Sequence, residues 1–273
     1  MKVGIVARRG NDRAAALADD ARDRLHESGI EVLVDEATAD ALDIAGHAVT
    51  RMNDADLVVS IGGDGTFLFA ARGAGTTPVM GVNLGEVGFL NVTAPENALA
   101  EIDRAIEQVR TTGDPDVRTV PRLRAAGENV SLPPALNEVV VATGRGPGRG
   151  GEFAVDVDGD PFFESHADGV LVATPAGSTA YSLSEGGPLV HPDVPGLIVT
   201  DMCATDPRPP AVVDAGSEVT VRVTDAPDAV VVGDGRTRKP IEPPAELTIR
   251  VADEPMRIAG PPLDFFGALD KLD

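Results

Sequence analysis

Apolar residues recur along this chain in two rhythms, and the change from one to the other divides it. In the first third, short apolar runs alternate with stretches of helical spacing. Residues 3–7, 30–34, 57–61 and 79–82 are such runs, rich in Val, Ile and Leu, and they predict buried strands. Between the first two, residues 12–27 set Ala14, Leu17, Ala18, Ala21 and Leu25 on one helix face, with Asp19, Asp20, Arg22, Asp23 and Arg24 turned outward. A further helix opens near residues 93–95 and carries Ala98, Leu99, Ile102, Ala105, Ile106 and Val109 at the same spacing. This alternation predicts a Rossmann-like parallel α/β sheet with helices on its faces.

From about residue 115 the texture changes. Short Val-rich runs at 136–142, 153–157, 170–173, 197–200, 219–223, 230–232 and 247–251 are separated by Gly, Pro and Asp. They predict an all-β second domain of β-sandwich-like character. The expected organisation is an α/β domain over residues 1–98, a β-rich domain over 99–260 and a tail over 261–273, apolar enough at 263–269 to dock as a short helix. No internal repeat is visible. Residues 145–151, Arg-Gly-Pro-Gly-Arg-Gly-Gly, read as a loop with two solvated arginines.

Charge narrows the function classes. The 273 residues hold 44 Asp and Glu against 23 Lys and Arg, a formal net charge of −21. That excess argues against an extended nucleic-acid or anionic-membrane surface. The lysines are Lys2, Lys239 and Lys271 alone. A carboxylate-rich, lysine-poor chain resembles proteins of salt-loving organisms, in which screening suppresses self-repulsion. Cys203 is the single cysteine, so an intramolecular disulfide and a cysteine zinc site are excluded. The apolar start, residues 3–6, is too short for a signal peptide before Arg8 and Arg9, and no run reaches bilayer-spanning length. A cytoplasmic protein is expected.

Candidate chemistry collects behind the predicted strands. Gly62-Gly63-Asp64-Gly65-Thr66 follows the run 57–61, and in an open α/β sheet ligands gather beyond the carboxyl ends of the strands. No lysine follows the glycines, so the loop is not a Walker A loop. With no local cation, Asp64 would face phosphates as a bare carboxylate. That is tolerable where Mg²⁺ intervenes, or where the carboxylate is a base toward a hydroxyl. The same four-residue pattern is also ordinary turn sequence. Asn83-Leu84-Gly85-Glu86-Val87-Gly88-Phe89-Leu90 emerges on the same sheet edge.

Two polar residues, Asn137 and Glu138, interrupt an otherwise buried strand that continues as Val139-Val140-Val141. Burying them requires partners, which a ribose or a neighbouring turn would supply. Residues 168–188 read Asp-Gly-Val-Leu-Val-Ala-Thr-Pro-Ala-Gly-Ser-Thr-Ala-Tyr-Ser-Leu-Ser-Glu-Gly-Gly-Pro. Their Tyr181 is the only tyrosine in a chain without tryptophan, either a stacking surface for a flat ring or a core side chain.

In their order and spacing these four blocks resemble the NAD kinase family, over nearly the whole chain. The Gly-Gly-Asp-Gly element is shared with lipid kinases and 6-phosphofructokinases; the Leu-Asn-Glu strand and the Thr-Pro-x-Gly-Ser-Thr-Ala-Tyr block are more specific. The resemblance implies an α/β domain, a β-rich domain, and a tail returning to the first. It implies a homodimer or homotetramer whose sites include residues of a neighbouring subunit. It also implies phosphorylation of the adenosine-ribose 2′-hydroxyl of NAD, with ATP or polyphosphate as donor and a divalent metal ion, Mg²⁺ first, not held in a dedicated protein cage.

Carried over by position, Asp64 would be the general base, and Gly62, Gly63, Gly65 and Thr66 would shape the phosphate loop. Asp64 and Gly65 would also touch NAD. Phe89 would flank the adenine, and Asn137 with Glu138 would hold the adenosine. Asp168, with His166 close by, would serve the nicotinamide end across a subunit contact. Thr179, Ala180, Tyr181, Ser182, Leu183 and Ser184 would line the dinucleotide groove. Three features depart from the family. His166 stands where many relatives have arginine, and Arg236 where they often have Gln; Arg236 would be a substitute cation. Residues 201–210 keep Arg208-Pro209 but lack the family's His and Ser. A catalytically reduced sensor or subunit, and a lipid kinase sharing only the first block, are the alternatives.

Overall fold

In the computed structural model, which describes residues 1–85, 88–144 and 150–270, a parallel sheet grows outward from β1 (Lys2–Ala7). Helix α1 (Asp12–Glu27) leads to β2 (Glu31–Val34), which lies parallel to β1. Asn11 caps α1, its side-chain oxygen accepting the Ala14 N–H at 2.9 Å. Ala14, Ala18, Ala21 and Leu25 form the buried face, and the small alanines let the helix lie close to the strands. A shorter helix, α2 (Glu36–Leu42), is capped by Asp35.

On the other side of β1, β3 (Leu57–Gly62) pairs in parallel and is buried along its whole length. Helix α3 (Asp64–Ala74) carries the chain to β4 (Val79–Asn83), parallel to β3. Helix α4 (Ala98–Thr112) and strand β5 (Val117–Val120) follow. A returning strand, Met256–Ala259, enters between β4 and β5, parallel to the first and antiparallel to the second.

The two compact units are therefore Met1–Val120 with Pro255–Asp273, and Pro121–Glu254. These boundaries differ from the expected divisions at 98 and 260. Ile102, Ala105 and Ile106 of α4 share one buried cluster with Val3, Ile5 and Leu57, and Ala259 belongs to it too. Apolar burial against the first sheet fixes both segments there.

The second unit is built from antiparallel strands: β6 (Leu123–Gly127), β7 (Val130–Ser131), β8 (Glu138–Thr143), β9 (Gly151–Val157), β10 (Asp160–Ala167), β11 (Gly169–Ala173), β12 (Gly196–Met202), β13 (Ala211–Asp214), β14 (Val219–Thr224), β15 (Ala229–Gly233), β16 (Thr237–Ile241) and β17 (Ala245–Val251). They form two six-stranded sheets, ordered β10-β9-β14-β17-β6-β7 and β13-β12-β11-β8-β15-β16. Val139, Val141, Val170, Val172 and Val231 of the second sheet share one core with Phe153, Val155, Val221, Leu247 and Ile249 of the first. The other face of the second sheet buries Val140, Leu171, Ala173 and Ile198 beneath Val190 and Tyr181. Central strands β8 and β11 are thus apolar on both faces, which is why their runs are continuous rather than alternating. Among the described residues, no helix is long and apolar enough to cross a membrane.

Candidate active site

In the first unit, the Gly-Gly-Asp-Gly element is the joint between β3 and α3. Gly62 ends the strand, Gly63 caps the helix and Asp64 is its first residue. A Cβ on Gly62 would run into the side chains of Thr66 and Arg8, so the turn closes only around glycine. The Arg8 N–H donates to the Ile61 carbonyl at 2.8 Å, which sets the root of the Arg8 side chain beside the turn. Gly65 and Thr66 form the first turn of α3, where helix N–H groups and the helix dipole favour an anion.

The Asp64 carboxylate is held by hydrogen bonds from Phe89, Leu90 and Asn91. Its Oδ2 accepts the Phe89 N–H at 3.0 Å; its Oδ1 accepts the Leu90 and Asn91 N–H groups at 3.2 and 3.3 Å, and Asn91 Nδ2 at 3.4 Å. Burial pushes the Asp64 carboxyl above the usual carboxylate range, while these donors and the Arg118 guanidinium pull it back. The expectation of a carboxylate without a local cation is therefore corrected. The Arg118 charge acts on it from β5, the edge strand of the same sheet, and the root of the Arg8 side chain stands at the turn. Both are distant in sequence from the glycine turn, so reading along the chain does not connect them to it.

Phe89 contributes its backbone N–H to Asp64, while its ring is buried at 7 % exposure with the Phe265 ring 5.8 Å away. In this arrangement the ring is a packing element. Glu86 and Val87 of the same motif, and the arginines Arg145 and Arg149, lie outside the described residues.

In the second unit, the ends of three strands converge. Glu138 opens β8 opposite Ala173, the last residue of β11, and Val139 pairs with Gly233, the last residue of β15. Residues 174–184 and 234–236 leave the sheet at this same end. Thr174 binds the strand twice, its hydroxyl donating to the Leu136 carbonyl at 2.7 Å and its N–H to the Asn137 carbonyl at 2.9 Å. The short helical turn Ala176–Thr179 then lies so close to Asn137 that a Cβ on Gly177 would strike the Asn137 carbonyl. From the third strand, Asp234 turns its carboxylate onto the N–H groups of Leu136, Asn137 and Glu138 at 2.9, 2.8 and 3.4 Å.

Asn137 and Glu138 are buried, and among the described residues no group reaches Asn137 Oδ1 or Glu138 Oε2. The Glu138 carboxyl is pushed up to about 7 by burial and by the Asp234 charge, against a backbone hydrogen bond from Tyr181. Thr179, Ala180 and Tyr181 are half-buried, Ser182 is buried, and Leu183 and Ser184 are exposed. Arg236 is exposed at the Asp234-Gly235 turn, whose two residues both adopt positive φ. Asn137, Glu138, residues 179–184 and Arg236 are thus brought to one end of the sheet.

His166 and Asp168 are not. Asp168 precedes Gly169, which pairs with Ala142 and Met202 at the opposite end of β11, a strand length of about 17 Å away. His166 is exposed, its Nδ1 3.0 Å from Glu152 across the β9–β10 pair. The Thr205 N–H donates to the His166 carbonyl at 2.9 Å, so the 201–210 segment belongs to this end as well. The Arg208 N–H donates to Asp201 Oδ2 at 2.8 Å, and the Arg208 side chain is exposed.

A glycine turn opening a helix behind a parallel strand, joined in one chain to an antiparallel unit with a half-satisfied polar end, defines a phosphate-handling α/β protein with a separate ligand-binding unit. The ATP-NAD kinase N-terminal domain profile matches residues 3–109, and the ATP-NAD kinase C-terminal domain profile matches residues 136–260. The chain belongs to the NAD kinase family. It is 56 % identical to a NAD kinase of Haloarcula marismortui and 52 % identical to one of Halobacterium salinarum, each alignment covering 100 % of both chains. The structure of a NAD kinase from Archaeoglobus fulgidus in complex with ATP superposes with a TM-score of 0.81 at 27 % identity, covering 100 % of both chains. A yeast NADH kinase structure shares the fold, with a TM-score of 0.86 at 22 % identity over 100 % of this chain and 87 % of that one. The similar kinases from halophilic archaea accord with the acidic composition.

Proposed function

We propose that this chain phosphorylates the adenosine-ribose 2′-hydroxyl of NAD, forming NADP, with ATP or polyphosphate as donor. One observation carries the assignment of the acceptor. Asn137 Oδ1 and Glu138 Oε2 are buried polar atoms without a hydrogen-bond partner among the described residues, on consecutive residues at the strand end. Leaving both unmet costs roughly 1–3 kcal/mol each, and a ribose with adjacent hydroxyls supplies donors for both. Thr179 to Ser184 and Arg236, at the same end, line the path of the dinucleotide. In the transfer, the hydroxyl oxygen attacks the terminal phosphorus, its proton passes to Asp64, and the donor's bridging oxygen leaves with the remaining phosphates. The glycine turn with Gly62, Gly63, Gly65 and Thr66 receives the phosphates.

A divalent metal, Mg²⁺ first, accompanies the donor in this reading and neutralises phosphate charge. Asp64 turns both oxygens to N–H donors, and among the described residues no three His, Cys, Asp or Glu side chains gather as ligands. The described residues do not form a metal cage.

His166 and Asp168 stand at the far end of β11 from Glu138, which supports their serving a neighbouring copy's site in a homodimer or homotetramer. The first unit is a Rossmann-like sheet and the second a β-sandwich in this reading, with a cytoplasmic location. Formation of NADP from NAD, Mg²⁺ and ATP or polyphosphate in concentrated KCl tests the proposal. NAD binding without turnover would point instead to a sensor, and absence of dinucleotide binding to another kinase class.

A further inference from the structure

Asp64 is buried, and burial by itself favours a neutral carboxyl. Three consecutive backbone N–H groups, of Phe89, Leu90 and Asn91, offset this by donating to its oxygens. The charge on Asp64 therefore depends on what fixes that short run of backbone, and on any cation near enough to act.

Arg118 meets both needs. It lies on β5, paired with Ile258, and is half-buried. Its Nη2 donates to the Phe89 carbonyl at 3.2 Å, so the Phe89 residue is held at both ends, its N–H on Asp64 and its C=O on Arg118. The 88–91 run brings only neutral donors to Asp64; the charge that acts on it, among the described residues, is that of Arg118. A guanidinium suits the position, since it stays protonated and its fork addresses a carbonyl while its charge works on the carboxylate.

We propose that Arg118 is a positioning residue of the phosphoryl-transfer site, anchoring the Phe89–Asn91 backbone that cradles Asp64. The catalytic consequence rests on Asp64 being the general base; the effect on Asp64 itself does not.

The full chain is compared with Arg118→Gln, Arg118→Leu and Arg118→Lys in concentrated KCl. The Asp64 carboxyl is titrated by ¹³C NMR, its signal assigned from the Asp64→Asn spectrum, and kcat is followed against pH. In the neutral variants the Asp64 midpoint moves to higher pH, and the acid limb of kcat moves with it. Arg118→Lys, which retains the charge, returns most of the shift. Leu is apolar throughout where Gln ends in a neutral amide, so either folded neutral variant suffices. A midpoint that stays in place overturns the proposal, as does a uniform loss of kcat with the acid limb unmoved. Should Asp64→Asn keep wild-type turnover, the base assignment falls, and the NMR midpoint still decides the role of Arg118.

Discussion

The Asp234 carboxylate accepts the Asn137 backbone N–H at 2.8 Å, across 97 residues of sequence. The same carboxylate holds the N–H groups of Leu136 and Glu138. One side chain thus fixes the entry of β8, and with it the two residues assigned to the ribose. The arrangement has a cost: the Asp234 charge helps to raise the proton affinity of Glu138. Asp234 itself takes positive φ, which Asp and Asn tolerate better than most residues.

Asp234→Ala leaves three backbone N–H groups without their acceptor. Expected are a loss of about 2–3 kcal/mol in stability and a weakened hold on NAD. Asp234→Asn keeps one acceptor oxygen and the tolerated φ, and should recover most of both. Chemical denaturation and NAD titration of the two variants check this; an Ala variant with unchanged NAD affinity would remove Asp234 from the site.

Asp64→Asn should lower turnover by about 10²- to 10⁴-fold, the usual range for a general base, with NAD affinity far less affected. The amide keeps one acceptor for the Phe89–Asn91 donors, so the fold survives. Steady-state kinetics and NAD titration separate the two effects.

Glu138 should make stability depend on pH. Its folded midpoint of about 7 lies above the ordinary 4.5, so between those values the folded state holds a proton that the unfolded state has released. This group's contribution to stability therefore falls as pH rises from about 4.5 to about 7, and the cost is fully developed above that. Glu138→Gln removes the charge, so the variant should gain about 1–3 kcal/mol over wild type at pH ~8 and almost nothing at pH ~4.5, while binding NAD more weakly. Denaturation at both pH values provides the measurement. Equal differences at both would show that Glu138 does not titrate in this window.

The net charge of −21 should make the fold dependent on salt. Self-repulsion weakens as the Debye length contracts, so the melting temperature should rise between about 0.1 and 2 M KCl. A flat or falling thermal scan would contradict the halophilic reading of the composition.

Much of the fold was legible because apolar spacing reports which faces are buried. The helix over 12–27 and the strands near 3–7, 57–61, 79–82 and 170–173 occur where periodicity places them. Two edge strands of the second unit were not legible. β10 and β16 border their sheets and carry Pro161 and Pro240, and four of eight and two of five of their residues are exposed, so they lack the apolar signal of a buried strand. The extent of the first unit was also hidden, since strand Met256–Ala259 joins β4 only by pairing across the whole second unit in sequence.

By itself the sequence determined the family, the alternation of elements, the glycine turn and the Asn137-Glu138 pair, because each depends on residues adjacent or regularly spaced in the chain. Tertiary structure alone decided which charges act on them. Arg118 bears on Asp64 through the Phe89 backbone, Asp234 secures Asn137 from another strand, and Asp168 stands a strand's length from Glu138. Electrostatic and hydrogen-bonding partners are set by distance in space, and strand pairing brings together residues that no spacing along the chain relates.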